Sequence, residues 1–150
     1  MSTVRSAHET LFWDDVEVGD ELPPLDLEIT ATLIAAGAIA TRDFMPVHHD
    51  KQYANTQGAP DIFMNILSDN AYCSRFLTDW AGPEAMLRKI SIRLGAPTFP
   101  GSTLHYTGTV QAKSLDGDHG VVTVALQATN EIGVHVSGTA DLRLPRRATP

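Results

Sequence analysis

The sequence predicts an α+β fold in which a curled antiparallel sheet wraps around one long apolar helix, and three observations carry that prediction. Residues 86–144 alternate apolar and polar side chains with a period of two, as strands with one buried face do. The runs are separated by GAPTFPGS, SLDGDHG and NEIG, which supply glycine, proline, asparagine and aspartate where chain reversals need them. Ahead of them, Asp61 to Trp80 (DIFMNILSDNAYCSRFLTDW) is apolar nearly all round, which suits a buried helix.

Taken in chain order, LFWDDVEVGDELPPLDLEI reads as an irregular lead-in with a short edge strand, and Thr32 to Thr41 (TLIAAGAIAT) as a short helix of small residues. The long helix opens on an acidic residue, Asp61, and stops at Gly82-Pro83. Four strands follow. Met86, Ile90, Ile92 and Leu94 mark the first apolar face, Leu104, Tyr106 and Val110 the second, Val122, Val124 and Leu126 the third, and Val136, Ala140, Leu142 and Leu144 the fourth. The alternate positions carry Lys89, Arg93, Gln127 and Asp141, and place His105 and His135 on the solvent side. An apolar sheet face has to be covered, and the long helix is the element available to cover it, which is the hot-dog architecture. With no internal repeat or linker, residues 1–150 are expected to form a single hot-dog domain.

Composition narrows the function classes. Eleven basic against eighteen acidic side chains give a net charge of −7, the wrong sign for a protein that binds by neutralising phosphate backbones, so nucleic acid is not an expected partner. No apolar run approaches the roughly 20 residues that a membrane-spanning helix needs. The N-terminus lacks the apolar core of a signal peptide, and a single cysteine, Cys73, cannot form an internal disulfide; both point to the cytoplasm.

The stretch RDFMPVHHD, residues 42–50, stands out from the rest. Asp43 and His48 are five positions apart, about 140° on a helix and on opposite faces of a strand, so regular structure would separate them. Pro46 disfavours helical dihedrals at Met45, which forces a bend after the helix that ends near Thr41. A turn there lets carboxylate and imidazole converge on one water, an arrangement suited to general acid and base catalysis. The same residues also fit a second reading, in which Asp43 satisfies backbone N–H groups of the turn or pairs with Arg42, and His48 is a hydrogen-bonded loop residue.

The run from the small-residue helix through RDFMPVHHDKQYANTQGAPDIFMNIL resembles the hydratase motif of MaoC-like (R)-specific enoyl-CoA hydratases, G-D-x-N-P-x-H, and the lead-in FWDDVEVGDELPPLDLEIT is similar to that family's opening. ATRDF, VHHD, DIFMNIL and TDWAGP further resemble the short single-hot-dog subunit of steroid side-chain enoyl-CoA hydratases. The resemblance implies a hot-dog fold and the addition of water to a trans-2-enoyl thioester, here a steroid-type acyl-CoA. It implies no metal and no separate cofactor, because coenzyme A is part of the substrate. By position the motif aspartate is Asp43, the proline Pro46 and the histidine His48, while Arg42 replaces the motif glycine and Met45 the motif asparagine. The family's oxyanion donor, a backbone N–H at the start of the central helix, falls at Asn65. The resemblance also implies a partner, either a second copy or a longer subunit that contains its own hot dog.

Other features carry less. Arg42, Arg88, Lys89 and Arg93 are the candidate contacts for CoA phosphates, with a solvated charged strand face as the other reading of the last three. His48 and His49 are adjacent and would point apart in extended chain, which does not suit a metal site. Cys73 lies mid-helix in an apolar segment and reads as core. A hot-dog thioesterase and a non-catalytic acyl-CoA-binding subunit remain the alternatives to hydration.

Overall fold

The computed structural model describes residues 8–147; the first seven residues, part of the segment read above for a leader, lie outside the described residues, as do the last three. The lead-in contains a 3-10 turn at Trp13–Asp15 and the short strand β1 (Leu25–Glu28). Helix α1 (Ala31–Ala40) follows, then a 3-10 turn at Pro46–His48, a short helix α2 (Lys51–Thr56) and the central helix α3 (Ile66–Ala81). Strands β2 (Met86–Leu94), β3 (Thr103–Asp116), β4 (His119–Thr129) and β5 (Val134–Leu144) complete the chain. The sheet order is β1-β3-β4-β5-β2 with every neighbouring pair antiparallel, which leaves β1 and β2 at the edges.

From β3 to β5 the period-two pattern does what the sequence promises. In β2 a register shift between Leu87 and Lys89 puts Leu87 rather than Met86 against the core with Ile90 and Ile92. Met86 and Leu94, read above as apolar-face residues, are exposed. Leu104, Tyr106, Val110, Val122, Val124, Ala128, Val136, Ala140, Leu142 and Leu144 are buried, and they meet Cys73, Phe76, Leu77 and Ala81 of α3 in one core. Each fully buried Val or Leu there contributes roughly 1.5–3 kcal/mol relative to exposure, so this interface dominates the stability of the fold. Cys73 is core as expected; burial first, and the charge of Asp69 second, push its thiol up to about 12, which leaves it un-ionised near neutrality.

Three further features depart from the sequence reading. The central helix begins at Ile66, five residues after Asp61, because Asn65 adopts extended dihedrals and its side-chain oxygen caps the Ser68 N–H at 3.1 Å. Helix α3 is also two-faced rather than apolar all round, with Ile66 and Leu67 exposed and Asp69 buried. Helix α2 has no counterpart in the sequence reading; Asp50 caps it by accepting from the Tyr53 N–H at 3.0 Å. The third departure is His135, which is buried instead of facing solvent. Across β4 and β5 the register pairs Thr129 with Val134 but Ala128 with Val136, so β5 carries one extra residue. That bulge interrupts the alternation and turns His135 inward. His105 does face out, 2.7 Å from Asp26 on β1.

Among the described residues no helix is long and apolar enough to cross a membrane. Strand β2 closes the sheet on one side only, against β5, and the approach is tight at Gly138. A Cβ there would lie 2.1 Å from the Ser91 carbonyl oxygen. Gly138→Ala is expected to lower stability by about 1–3 kcal/mol, the usual cost of overpacking against unyielding backbone, read as a fall in denaturation midpoint with the far-ultraviolet spectrum retained.

Candidate active site

The site begins at the end of α1. The Asp43 N–H donates to Ala38 O at 2.9 Å and the Arg42 N–H to Ile39 O at 3.0 Å, the paired bonds of a Schellman cap. The residue between helix and exit must then be left-handed, and Arg42 has φ +60. Glycine fits that position without strain, and a side chain there costs roughly 1–2 kcal/mol. The cap reverses the chain and sends Asp43 toward α3. Met45 then takes extended dihedrals ahead of Pro46, and the 3-10 turn carries His48 back toward Asp43.

The two side chains converge, as the bend at Pro46 suggested. His48 Nε2 lies 3.5 Å from Asp43 Oδ2, with His48 largely buried and about a quarter of the Asp43 side chain (26%) open to solvent. His48 Nδ1 is 2.6 Å from Phe63 O, and because a carbonyl accepts only, Nδ1 carries the hydrogen. Nε2 of the neutral ring therefore presents a lone pair on the side of Asp43. The Phe63 ring packs edge-on against the imidazole, centroids 5.0 Å apart, and fixes its plane. In that form of the ring the pair presents two acceptors 3.5 Å apart, a spacing that a water can bridge with its two O–H groups.

Asn65 holds the other half of the pair. Its Nδ2 donates to Asp43 Oδ2 and to Thr41 Oγ1, both at 3.0 Å, while its Oδ1 accepts from the Ser68 N–H. Thr41 in turn donates to Gly37 O at 2.8 Å. One amide thus joins the end of α1, the aspartate and the start of α3. The Asn65 hydrogen bond is the main cause holding the Asp43 carboxyl below its usual range, opposed by partial burial and aided by the Met45 N–H and His48. The sign follows: Asp43 contributes stability above the ordinary carboxylate value, and that contribution is lost as pH falls through the depressed one. Sequence reasoning singled out Asn65 for its backbone and missed its side chain. The signal was present, since asparagine before an apolar helical run is a favoured N-cap.

The backbone N–H groups of Asn65, Ile66 and Leu67 have no acceptor among the described residues, as expected for the opening turn of a helix. Arg42 is exposed beside the pair, and Arg88, Lys89 and Arg93 are exposed on the edge strand β2, with no ion pair to any described residue. His49 is exposed. Among the described residues no group of three or more His, Cys, Asp or Glu side chains could hold a metal ion.

Asn65→Asp separates the two jobs of this side chain, because it keeps the oxygen that caps Ser68 and replaces the donor to Asp43 with a second carboxylate. The helix should be retained in the far-ultraviolet spectrum, while the Asp43 titration followed by carbon NMR should move upward, toward or past the ordinary carboxylate value, and stability near neutral pH should fall by about 1–3 kcal/mol.

No family model matches the chain. It is 42% identical over 127 residues to the 3-oxo-4,17-pregnadiene-20-carboxyl-CoA hydratase beta subunit of Mycobacterium tuberculosis, covering 85% of this chain and 95% of the relative. Among solved structures it is similar to a chain of the ChsH1-ChsH2 complex from Mycobacterium tuberculosis, with 41% identity, a TM-score of 0.80 and 85% and 98% of the two chains covered. It is also similar to a MaoC-like dehydratase from Rhodospirillum rubrum, with 26% identity, a TM-score of 0.80 and 93% and 99% covered. A hot-dog sheet around α3, a D-x4-H turn at its N-terminus and these likenesses across most of the chain place the protein in the MaoC-like hydratase family, alongside that hydratase beta subunit.

Proposed function

We propose that the protein is an enoyl-CoA hydratase subunit that adds water across the double bond of a trans-2-enoyl thioester carrying a steroid side chain. The observation that carries the reading is the Asp43–His48 pair, 3.5 Å apart with its imidazole tautomer set by Phe63 O, in a chain 42% identical to a steroid-acyl-CoA hydratase subunit. The water donates one O–H to His48 Nε2 and the other to Asp43 Oδ2. As its oxygen bonds to C3 of the enoyl group, the pair takes a proton and the double-bond electrons move toward the thioester carbonyl. A proton from the pair then reaches C2, and the pair returns to its starting state. Negative charge builds on the carbonyl oxygen between these steps, and the unused N–H of Asn65 at the positive end of α3 is the group we assign to it.

The carboxylate of this chemistry is kept ionised by its surroundings, since Asn65 holds Asp43 below its ordinary range. No cofactor is invoked, and coenzyme A enters as part of the substrate. We assign its phosphates to the exposed cations Arg42, Arg88, Lys89 and Arg93. The relative is named as a beta subunit and the matched structure as a two-component complex, which supports a heteromer with a longer subunit containing its own hot dog. Two structural features support it too. The outer edge of β2 pairs with no strand among the described residues, and Phe44, Met45, Ile66 and Leu67, close in the chain to Asp43 and Asn65, are exposed apolar side chains that a partner would cover. We place the assembly in the cytoplasm, where the buried free thiol of Cys73 would stay reduced.

With the partner co-expressed, hydration should bleach the conjugated enoyl-thioester absorbance without releasing a thiol, and a steroid thioester should be preferred over straight-chain ones. Asp43→Asn and His48→Ala should each lower kcat by about 10²-fold or more. Thiol release would instead identify a thioesterase, and wild-type rates in both variants would identify a binding subunit. Arg42→Gly is expected to raise stability by about 1 kcal/mol through relief of the left-handed strain, while raising KM for the CoA thioester and leaving KM for a truncated pantetheine thioester unchanged.

A further inference from the structure

The proposed chemistry makes no use of a second carboxylate–imidazole pair, Asp69 and His135. Both residues are buried, at 0% and 2% exposure. His135 Nδ1 is 2.6 Å from Ala96 O and Nε2 is 2.7 Å from Asp69 Oδ1. The carbonyl can only accept, so Nδ1 carries a hydrogen, and one further proton lies between Nε2 and the carboxylate. Burial by itself would push the imidazole down, but the hydrogen bond to Asp69, its charge and the Ala96 carbonyl lift it above the ordinary histidine value. With that one shared proton the pair carries no net charge. Cys73 and Tyr106 share that part of the core, and Asp69 Oδ2 and the Tyr106 hydroxyl have no hydrogen-bond partner among the described residues.

Its placement is more informative than its chemistry. The β5 bulge supplies His135, and the connection between β2 and β3 supplies Ala96, whose N–H donates to Val134 O at 2.8 Å. Asp69 belongs to the first turn of α3, where its N–H donates to Asn65 O at 3.1 Å. The same connection accepts the Met64 N–H at Thr98 O, 3.3 Å away, just before the cap. Sheet, connection and helix start meet at one histidine, and Asn65 leads from there to Asp43 Oδ2.

We propose that His135 and Asp69 are positioning residues for the hydration site, fixing the first turn of α3 so that Asn65 delivers its donor to Asp43. The inference rests on the hydratase reading above. His135 has a second effect: an uncompensated carboxylate in that turn would oppose negative charge arriving at the helix N-terminus, and the proton shared across the 2.7 Å contact cancels it.

The test uses the full chain with its co-expressed partner and the variants His135→Gln, Asp69→Ala and Asp69→Asn. The carboxamide introduced by Asp69→Asn can still hydrogen-bond a neutral His135, so it preserves the tie without the charges. In His135→Gln and Asp69→Ala, kcat per folded molecule should fall by about 10²-fold, as expected for a misplacement of about 1 Å, with KM within about twofold. Asp69→Asn should recover most of that loss. Combined with Asn65→Asp, His135→Gln should cost little more than Asn65→Asp alone. By carbon NMR, the Asp43 carboxyl, which faces His48 and Asn65, should titrate higher in His135→Gln and Asp69→Ala than in the parent.

A pair that only stabilises the fold would lower the melting temperature and leave the Asp43 titration and kcat per folded molecule where they were, and that result overturns the proposal. So does equal activity of Asp69→Ala and Asp69→Asn. Should His135→Gln fail to fold, the two variants at Asp69 decide. If the parent hydrates no enoyl-CoA, the hydratase reading fails, whereas the Asp43 titration still reports whether the pair holds the cap.

Discussion

The Asn65 side chain is the constraint on which the site depends. Its carboxamide has two donors and an acceptor, and all are used: the oxygen starts α3, and the two N–H groups hold the end of α1 and the carboxylate of Asp43. A helix N-cap is a geometric requirement of the backbone, since opening N–H groups lack partners within the helix. Using that requirement to fix the Asp43 carboxylate links the position of the proposed chemistry to the helix on which the whole sheet is folded.

Several polar groups near this junction could not exist as isolated features. A carboxylate at 0% exposure is tolerable because an imidazole lies 2.7 Å from it, and the imidazole because a carbonyl receives its other N–H. Arg42 in a left-handed conformation is held by both bonds of the α1 cap. Strain and buried polar groups gather around the start of α3, close to Asp43 and His48, while the sheet beyond is packed mainly with Val, Leu and Ala. Rigid packing on one side of α3 allows the other side to carry groups that would be unstable elsewhere.

The surface tells a related story. Apolar side chains are exposed beside the site and at both ends of the edge strand, where Met86 and Leu94 stand out of the core. A protein folding alone gains nothing from leaving them in water. Their position around the open edge and the turn that carries Asp43 and His48 fits a chain that a second subunit covers on this side.

Much of this was legible in the sequence. Period-two alternation and turn chemistry set β2 to β5, because a half-buried strand imposes that rhythm on its residues. Pro46 fixed the bend, since its ring restricts the residue before it, and so Asp43 and His48 could be paired in advance. Three other matters were decided in three dimensions. His135 faces inward because β5 gains a residue against β4, a property of register between strands that no single strand displays. Asp69, one polar residue among several in its helix, gave no sign that its partner was 66 residues away. The reach of Asn65 to Asp43 likewise exists only once α1 and α3 are packed. Local rules act through neighbours in the chain, and so the sequence determined the elements and the turn; contacts between distant segments depend on packing, and so the folded structure alone decided what holds the Asp43 carboxylate in place.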